Sequence, residues 1–223
     1  MYGQCNEDLK GHYQSCHYTG EAKPLNGSAL EILARHCPHM IKNGQDVKTC
    51  CDTNQLKTFD VNIQLMSAIL QRCPSCFDNL VKHLCDFTCS PHQSSFMNAT
   101  KFETNQKTNK TYVNAVDLFI TNKYLQGTFT SCSQVSVPSI GQLALDLMCG
   151  HWGATYCTPQ RWFDFMGDAA HNVYVPFQIN YNTTDTKFGP FTPLDPKITP
   201  CNQAPNVNST ACSCVDCESS CPL

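Results

Sequence analysis

The clearest hydrophobic pattern lies in the first half of the chain, where apolar residues recur at the three- and four-residue spacing of helices. One helix is predicted from Asp52 or Thr53 to about Gln71, and two amides lie on its apolar face. A second helix is predicted to begin at Pro74, because proline is well suited to a first turn. The two apolar faces contain Gln55, Phe59, Asn62, Ile63, Met66, Ile69 and Leu70, followed by Phe77, Leu80, Val81, Leu84, Phe87 and Thr88.

Weaker patterns predict the remaining helices and loops. The first 27 residues are rich in glycine, asparagine and tyrosine, which is typical of a loop. Ser28 and Glu31 have the spacing of a capping box, so a short helix is predicted there, ending at Pro38. The polar segment 98–111 predicts an exposed loop, and further helices are predicted over residues 113–131, 141–149 and 158–166.

The segment from Val175 to Tyr181 is different, because its apolar and polar residues alternate as in a strand. Pro176 within it indicates an edge strand, since proline has no N–H to donate to a neighbour. Helices would therefore come first along the chain and short strands late. This order predicts an α+β fold, helix-rich, with a small mixed β-sheet.

Cysteine content then indicates a secretory origin and a fold held by disulfides. The 223 residues include 17 cysteines, and this density is typical of chains that oxidise outside the cytosol. Cys85 and Cys89 lie one turn apart on the second long helix, so they would reach different partners and cross-link it twice. The odd number leaves one cysteine without a partner in these residues. N-glycosylation sequons agree with this compartment, and their asparagines are Asn26, Asn98, Asn109, Asn182 and Asn208.

Length and charge narrow the class further. No linker rich in glycine, serine or proline interrupts the cysteine pattern, so a single domain over residues 1–223 is expected. A net charge of −3 argues against a nucleic-acid partner, which requires a clustered basic face. The sequence contains no run of about 18 apolar residues, so no transmembrane helix is predicted. No signal peptide follows Met1, so the chain is expected to be a fragment of a longer protein.

Catalytic and metal chemistries find little support. The run from Cys212 to Cys221 has zinc-like spacing, but disulfides explain it better in this composition. Cys73-Pro-Ser-Cys76 resembles a redox dithiol motif, yet it follows a helix rather than a strand. The sequence contains no Gly-x-Ser-x-Gly elbow, which would indicate a hydrolase, and no paired carboxylates, which would indicate a glycosidase. We therefore expect a binding protein, without enzymatic activity, metal or cofactor.

Such a protein could enclose a cavity, because disulfides and sugars stabilise its shell. Gln55 and Asn62 among Phe59, Ile63 and Met66 would suit a mainly apolar pocket with polar anchors. The alternative is that these amides face solvent or cap neighbouring groups, and the pattern alone favours this alternative.

Longer motifs identify a family. They are Tyr2-Gly-x-Cys, Cys50-Cys-Asp-x-x-Gln-Leu-x-Thr, Arg72-Cys-Pro-Ser-Cys-Phe-x-Asn-Leu, Cys85-x-x-Thr-Cys-Ser-Pro-x-Gln-Ser-x-Phe, Leu147-Met-Cys-Gly, Pro176-Phe-x-Ile and Cys212-Ser-Cys-x-Asp-Cys. Together they cover essentially the whole chain. They closely resemble the N-terminal lumenal domain of the Niemann–Pick type C sterol transporters, including the intestinal Niemann–Pick-like homologue.

The resemblance implies a set of disulfides. The family has one more cysteine before the first motif, which pairs with the first of the two adjacent cysteines, so Cys50 would lack its partner here. The implied pairs are Cys5 with Cys16, Cys37 with Cys85, Cys51 with Cys89, Cys73 with Cys212, Cys76 with Cys132, Cys149 with Cys157, Cys201 with Cys217, and Cys214 with Cys221.

The resemblance also implies that cholesterol or a related sterol binds in a deep apolar pocket, with its 3β-hydroxyl inward. Gln55 would hold the hydroxyl together with Ser15, at a position where family members can carry asparagine. Leu147 and Met148 would flank the entrance. The implied apolar wall consists of Phe59, Phe77, Leu84, Phe87, Pro176, Phe177 and Ile179, with Thr88 nearby.

The implied partners are a sterol, a small soluble lumenal sterol carrier and the membrane part of the parent transporter. The domain would lie on the lumenal or extracellular side of a late endosomal, lysosomal or apical plasma membrane. The alternative function is a receptor-type cysteine-rich module that binds a protein or another small ligand.

Overall fold

The computed structural model describes residues 1–41 and 46–222 and has the predicted α+β architecture. None of the helices within these two ranges is long and apolar enough to cross a membrane. The helices are α1 (Gly27–His36), α2 (Thr53–Leu70), α3 (Pro74–Cys89), α4 (Asn122–Cys132), α5 (Ala144–Met148), α6 (Gly153–Tyr156) and α7 (Pro159–Gly167). The strands are β1 (Gln4–Glu7), β2 (Tyr13–Ser15), β3 (Lys23–Pro24), β4 (Lys48–Thr49), β5 (Met97–Asn105), β6 (Lys110–Ile120) and β7 (Gln178–Thr183).

Strands β5, β6 and β7 form a three-stranded sheet with β6 in the middle. β5 and β6 are antiparallel, whereas β6 and β7 are parallel, so the sheet is mixed. Along β6, Val116, Leu118 and Ile120 are buried, which places every second side chain on the core face. That face packs into a hydrophobic cluster with residues of α4 and α7. The pairs β1–β2 and β3–β4 form separate small sheets.

Helix α3 lies between two hydrophobic clusters. Leu80 belongs to the cluster that contains the sheet, α4 and α7, which we call the sheet cluster. Val81 belongs to a second cluster with residues of α1 and α2, which we call the helix cluster. Met66 and Phe77 are partly buried against both clusters, so they mark the seam between the two.

The eight disulfides found in the described residues have the pairs that the resemblance implies. Four of them hold α3 or the residue that precedes it. They are Cys73–Cys212, Cys76–Cys132, Cys37–Cys85 and Cys51–Cys89, and the other four are Cys5–Cys16, Cys149–Cys157, Cys201–Cys217 and Cys214–Cys221. Cys50 is the free cysteine of the described part of the chain, and burial raises the pKa of its thiol.

The exposed loop predicted over residues 98–111 is wrong, and the helix predicted over residues 113–131 is only partly right. β5 and β6 form a hairpin through this region, and α4 begins only at Asn122. Thr121 caps α4, its hydroxyl accepting a hydrogen bond from the Tyr124 N–H at 3.1 Å. The polar sequence of β5 does not indicate a strand, because an edge strand can keep most of its side chains in water. The two-residue burial period of β6 also contains enough apolar residues to imitate a helix.

Smaller predictions also change. Ser28 does not cap α1, because Asn26 is the N-cap residue and makes no side-chain capping hydrogen bond. The first 27 residues contain the β1–β2 hairpin rather than a loop alone. β7 begins at Gln178, after Pro176, and is an edge strand of its sheet as predicted. Strands therefore occur from the start of the chain, not only late.

His83 of α3 is a titratable side chain at the centre of the sheet cluster. It is fully buried, and its ring centroid lies 5.3 Å from that of Phe163. Its Nε2 is 3.3 Å from the Tyr181 hydroxyl, and its Nδ1 is 3.4 Å from the Tyr124 hydroxyl. Loss of water disfavours the charged imidazolium and lowers the pKa of His83 to about 3. The folded domain therefore keeps this ring neutral in mild acid.

We expect His83 to reduce stability as the pH falls. Below about pH 6.5 the unfolded chain binds a proton on His83 that the folded domain excludes, so the loss grows until the folded pKa is reached. Between about pH 6.5 and 4.5 the free energy of unfolding should fall by about 2 kcal/mol from this group. The substitution His83→Leu should remove that part of the pH dependence, measured by urea unfolding with the disulfides intact.

The exposed His92 gives a matched control, since its side chain is in contact with water in the folded domain. His92→Leu should therefore keep the pH dependence of the wild type. If His83→Leu shows the same slope as the wild type, the prediction is wrong.

Candidate functional site

Gln55 is buried at the start of α2, where the oxygen of its side-chain amide completes the helix cap. Asp52 Oδ1 accepts a hydrogen bond from the Gln55 N–H at 2.8 Å, and Gln55 Oε1 accepts one from the Asp52 N–H at 3.0 Å. The same Oε1 accepts a hydrogen bond from the Gly3 N–H at 2.6 Å, which ties the N-terminal segment to α2. The alternative, that the two amides cap neighbouring groups or face solvent, is thus correct for this oxygen, which caps α2. It is also correct for Asn62, which is exposed.

The amide nitrogen of Gln55 has a different partner, because Nε2 donates to Ser15 Oγ at 3.1 Å. The two polar residues implied by the resemblance are therefore in direct contact. Their hydrogen bond uses one N–H of the amide and one lone pair of the hydroxyl. Within the described residues, the second N–H of Gln55 and the O–H of Ser15 donate to no protein group. The Ser15 hydroxyl also keeps its second lone pair, so the pair can donate to one further group and accept from it.

Neighbouring contacts join Ser15 to the predicted wall. Gln14 Nε2 donates to the backbone carbonyl of Pro176 at 2.9 Å, which holds β2 against the segment before β7. The ring of Phe177 in that segment lies 6.1 Å from the ring of Phe87 on α3, measured between centroids. Residues far apart in sequence are thus brought together around the first turn of α2 and the C-terminal half of α3.

Gln93 fixes the end of α3 from the other side. Its Nε2 donates to the backbone carbonyls of Phe87 and Thr88 at 2.7 and 2.9 Å. Its Oε1 accepts from the amino group of Met1 at 2.7 Å. Sequence reasoning missed the supporting roles of Gln93 and of Gln14. The motif that begins at Cys85 includes Gln93, so the signal for that residue was present, whereas nothing in the sequence marks Gln14.

The predicted apolar wall lies along the seam between the two clusters. Phe77, Leu84 and Phe87 on α3 are only partly buried, although each is large and apolar. Phe77 contacts both clusters, Leu84 packs on the helix cluster and Phe87 on the sheet cluster. Of the remaining wall residues, Phe59, Phe177 and Ile179 are buried, whereas Thr88 and Pro176 are partly buried. An apolar ligand in the seam would remove the surface of these side chains from water.

Two depressions on the described residues are open and largely polar, and neither is the deep pocket implied by the resemblance. The first, of about 300 Å³, is lined by Gln4, Cys5, Asn6, Glu7, Tyr13, Asp52, Asn54 and Asn105. The second, of about 350 Å³, lies beside the Cys214–Cys221 disulfide. The deep apolar pocket therefore stays a prediction. No group of His, Cys, Asp or Glu side chains in the described ranges could hold a metal ion.

The predicted entrance residues lie on a separate short helix, α5, which packs against α6 and α7. Leu147 is 47% exposed. Met148 is partly buried against the sheet cluster. Neither residue takes part in the contacts around Gln55 described above.

We expect two substitutions to separate the structural role of Gln55 from its free donor. Gln55→Ala leaves the N–H groups of Gly3 and Asp52 without their acceptor, and should lower the free energy of unfolding by about 1–3 kcal/mol. Gln55→Glu keeps that acceptor, so the loss should stay below about 1 kcal/mol. Urea unfolding at neutral pH measures both. Asn62→Ala, on the exposed side of α2, is the control, and a loss as large as that of Gln55→Ala would contradict the prediction.

Comparison with known proteins agrees with the resemblance. The family model described as Niemann-Pick C1 N terminus matches residues 1–223. The chain is 35% identical over 233 residues to the NPC1-like intracellular cholesterol transporter 1 of Mus musculus and 32% identical over 232 residues to that of Homo sapiens, with 100% of this chain covered in both. It is 32% identical over 226 residues, 99% of this chain, to the NPC intracellular cholesterol transporter 1 of Sus scrofa. The chain spans 17% of the length of each of these relatives. Because the family model matches it from end to end, the chain belongs to the Niemann-Pick C1 N-terminal family.

Proposed function

We propose that this domain, acting as a single unit, binds a sterol with its 3β-hydroxyl between Ser15 and Gln55. The observation that carries the proposal is the 3.1 Å hydrogen bond between these residues, which leaves free one N–H of the Gln55 amide, which can donate to an alcohol, and one lone pair of the Ser15 hydroxyl, which can accept from it. An alcohol both donates and accepts, so it matches this pair, whereas an ester or ketone oxygen only accepts. The matched relatives are named as cholesterol transporters, which points to the same ligand class.

In this proposal the sterol skeleton lies in the seam between the two clusters. Met66 and Phe77 contact both clusters, and a flexible methionine can make room without breaking a helix. A sterol that buries about 500 Å² of apolar surface gains about 12 kcal/mol before the costs of binding. One net hydrogen bond adds only about 1 kcal/mol. The wall would therefore supply most of the affinity, and Ser15 and Gln55 the orientation.

We further propose a transfer role without catalysis. The domain would take one sterol molecule from a small soluble carrier on the lumenal or extracellular side, and pass it to the membrane part of a longer parent protein. Leu147 and Met148 on α5 would form the docking point at the entrance, because an exposed leucine beside a partly buried methionine offers an apolar contact.

Ser15 should distinguish sterols by their hydroxyl group. Ser15→Ala should weaken cholesterol binding about fivefold, because it removes one hydrogen bond worth about 1 kcal/mol. Its affinity for cholestane, which has the same skeleton without the hydroxyl, should stay at the wild-type value. Displacement of a tritiated sterol by each unlabelled compound measures both affinities.

Ser28→Ala, at an exposed position of α1, is the control and should leave both affinities unchanged. Equal losses for cholesterol and cholestane in Ser15→Ala would show that Ser15 shapes the site without binding the hydroxyl. A wild-type chain that binds no tritiated sterol would overturn the proposal and favour a receptor-type module.

Leu147 should affect transfer more than equilibrium binding. Leu147→Gln should slow delivery of sterol from a soluble carrier about tenfold, the effect of losing about 1.4 kcal/mol of apolar contact. The equilibrium affinity should change less than about twofold, because Leu147 lies outside the proposed wall. Leu9→Gln, at the fully exposed tip of the β1–β2 hairpin, is the control. Equal changes in rate and affinity would contradict an entrance role.

A further inference from the structure

Ser15, which the proposed function places against the sterol hydroxyl, lies on a short strand that is held from two sides. β2 has three residues, and its pairing with β1 contains a register shift between Gln4 and Asn6. On one side, Ser15 Oγ accepts the hydrogen bond from Gln55 Nε2 of α2. The preceding residue, Gln14, points to the other side, because side chains alternate along a strand. The position of Ser15 therefore depends on the contacts of Gln14.

Gln14 is 5% exposed, and both N–H groups and the oxygen of its amide have partners. Its Nε2 donates to Asn114 Oδ1 of β6 at 3.1 Å and to the Pro176 carbonyl at 2.9 Å. Its Oε1 accepts a hydrogen bond from Asn6 Nδ2 at 2.5 Å. Gln14 thus links β2 both to β6 and to the segment before β7.

Gln14 belongs to a row of four hydrogen-bonded amides, which we call the amide network and which consists of Asn105, Asn6, Gln14 and Asn114. The network begins at the turn between β5 and β6, where Asn105 Oδ1 accepts from the backbone N–H groups of Lys107 and Thr108 at 2.9 and 3.1 Å. A backbone N–H only donates, so the Asn105 oxygen must face the turn and its Nδ2 must point away. This Nδ2 donates to Asn6 Oδ1 at 2.7 Å, and Asn6 in turn donates to Gln14.

The amide network ends at the carboxylate of Glu103. Glu103 Oε1 accepts from Asn114 Nδ2 at 2.6 Å and lies 3.0 Å from Lys101 Nζ. Glu103 Oε2 accepts from the Tyr112 hydroxyl at 2.9 Å. The hydrogen bond from Lys101 lowers the pKa of Glu103, so this group is ionised at neutral pH and can only accept. Asn114 must therefore turn its Nδ2 to Glu103 and its Oδ1 to Gln14.

Donors at one end and acceptors at the other give the amide network a single orientation. Reversal of the Gln14 amide would place its oxygen against the oxygens of Asn114 and Pro176. The segment that contains Pro176 is also held by its own contacts, because Phe177 is buried and β7 pairs with β6 along six residues. β2 is the shorter element, so its position is the one that the contact from Gln14 fixes.

We propose that Gln14 is a positioning residue for the sterol hydroxyl, and that the amide network orients it so that it holds Ser15 at a set distance from the apolar wall. This inference rests on the proposed function and assigns a role to a residue that does not touch the sterol. Gln14 acts only through Ser15. A skeleton without a hydroxyl makes no use of Ser15, so Gln14 matters for the hydroxyl alone.

A double-mutant cycle tests this role by displacement of a tritiated sterol. Gln14→Met removes three hydrogen bonds at a similar side-chain length, and should weaken cholesterol binding about fivefold, as Ser15→Ala does. The affinity for cholestane should stay within about twofold of the wild type. In the Ser15→Ala background, Gln14→Met should cause no further loss, because the hydroxyl through which it acts is already absent. Gln126→Met, at an exposed position of α4, is the control and should leave both affinities unchanged.

The cycle separates this inference from the proposed function. Losses that multiply in the double variant, or equal losses for cholesterol and cholestane in Gln14→Met, overturn the role of Gln14 while the sterol site stands. The proposed function fails in another way, through a wild type that binds no sterol or a Ser15→Ala variant that keeps its cholesterol affinity. Either of those results also removes the role of Gln14 at the hydroxyl.

The amide network is tested without a sterol by NMR of the ¹⁵N-labelled domain. Glu103 is only partly buried, so Glu103→Ala should keep the fold. It should shift the side-chain amide resonances of Gln14, because Asn114 loses the acceptor that orients it. It should also weaken cholesterol binding, by less than Gln14→Met does, and leave cholestane binding unchanged. Glu31→Ala, at an exposed position of α1, is the control and should leave these resonances in place. Gln14 resonances that do not move in Glu103→Ala overturn the inference, whatever the sterol affinities are.

Discussion

Four disulfides converge on α3, and the positions of the other elements depend on them. They tie this helix to the residue after α1, to the segment just before α2, to α4 and to the C-terminal segment, through Cys85, Cys89, Cys76 and the preceding Cys73. The bonds span 38 to 139 residues. In the chain-entropy model, loops of this length are each worth about 4–5 kcal/mol. Much of the stability therefore comes from cross-links, so the two clusters beside α3 need not merge into one dense core. The partly buried Phe77 and Leu84 at their seam are tolerated for this reason.

At the polar end of the seam, folding and binding use different atoms of the same side chain. Gln55 Oε1 is occupied by the N–H groups of Asp52 and Gly3, and these contacts hold the amide in one orientation. Nε2 is then directed at Ser15, with one N–H to spare. A donor fixed in this way loses little entropy when a ligand hydroxyl arrives. The shorter Ser15 completes the pair, since its hydroxyl can accept from Gln55 through one lone pair and from a ligand hydroxyl through the other.

The parts of the fold that the sequence predicts are those with local signals. α2 and α3 follow from their helical period, the Asp52 cap and Pro74. The β5–β6 hairpin was missed, because polar residues on β5 look like a loop and only pairing with β6 makes the strand. The disulfide pairs came from the resemblance, not from spacing. At the site, the sequence identifies Gln55 as a candidate. It does not predict the hydrogen bond from the Gly3 N–H to Gln55 Oε1, because that contact joins residues 52 apart. His83 gave no signal, since only tertiary packing buries it.

Acid affects the buried His83 and the carboxylate of Asp60 differently. For the buried His83, desolvation keeps the folded ring neutral, so acid favours the unfolded chain. His36 is different, because its Nε2 lies 2.5 Å from Asp60 Oδ1 near the surface. The hydrogen bond from His36 lowers the pKa of Asp60, so its stabilising charge is present above the usual aspartate pKa and lost only at lower pH. In mild acid the Asp60 charge therefore continues to stabilise the fold, while the buried His83 ring lowers the stability of the sheet cluster.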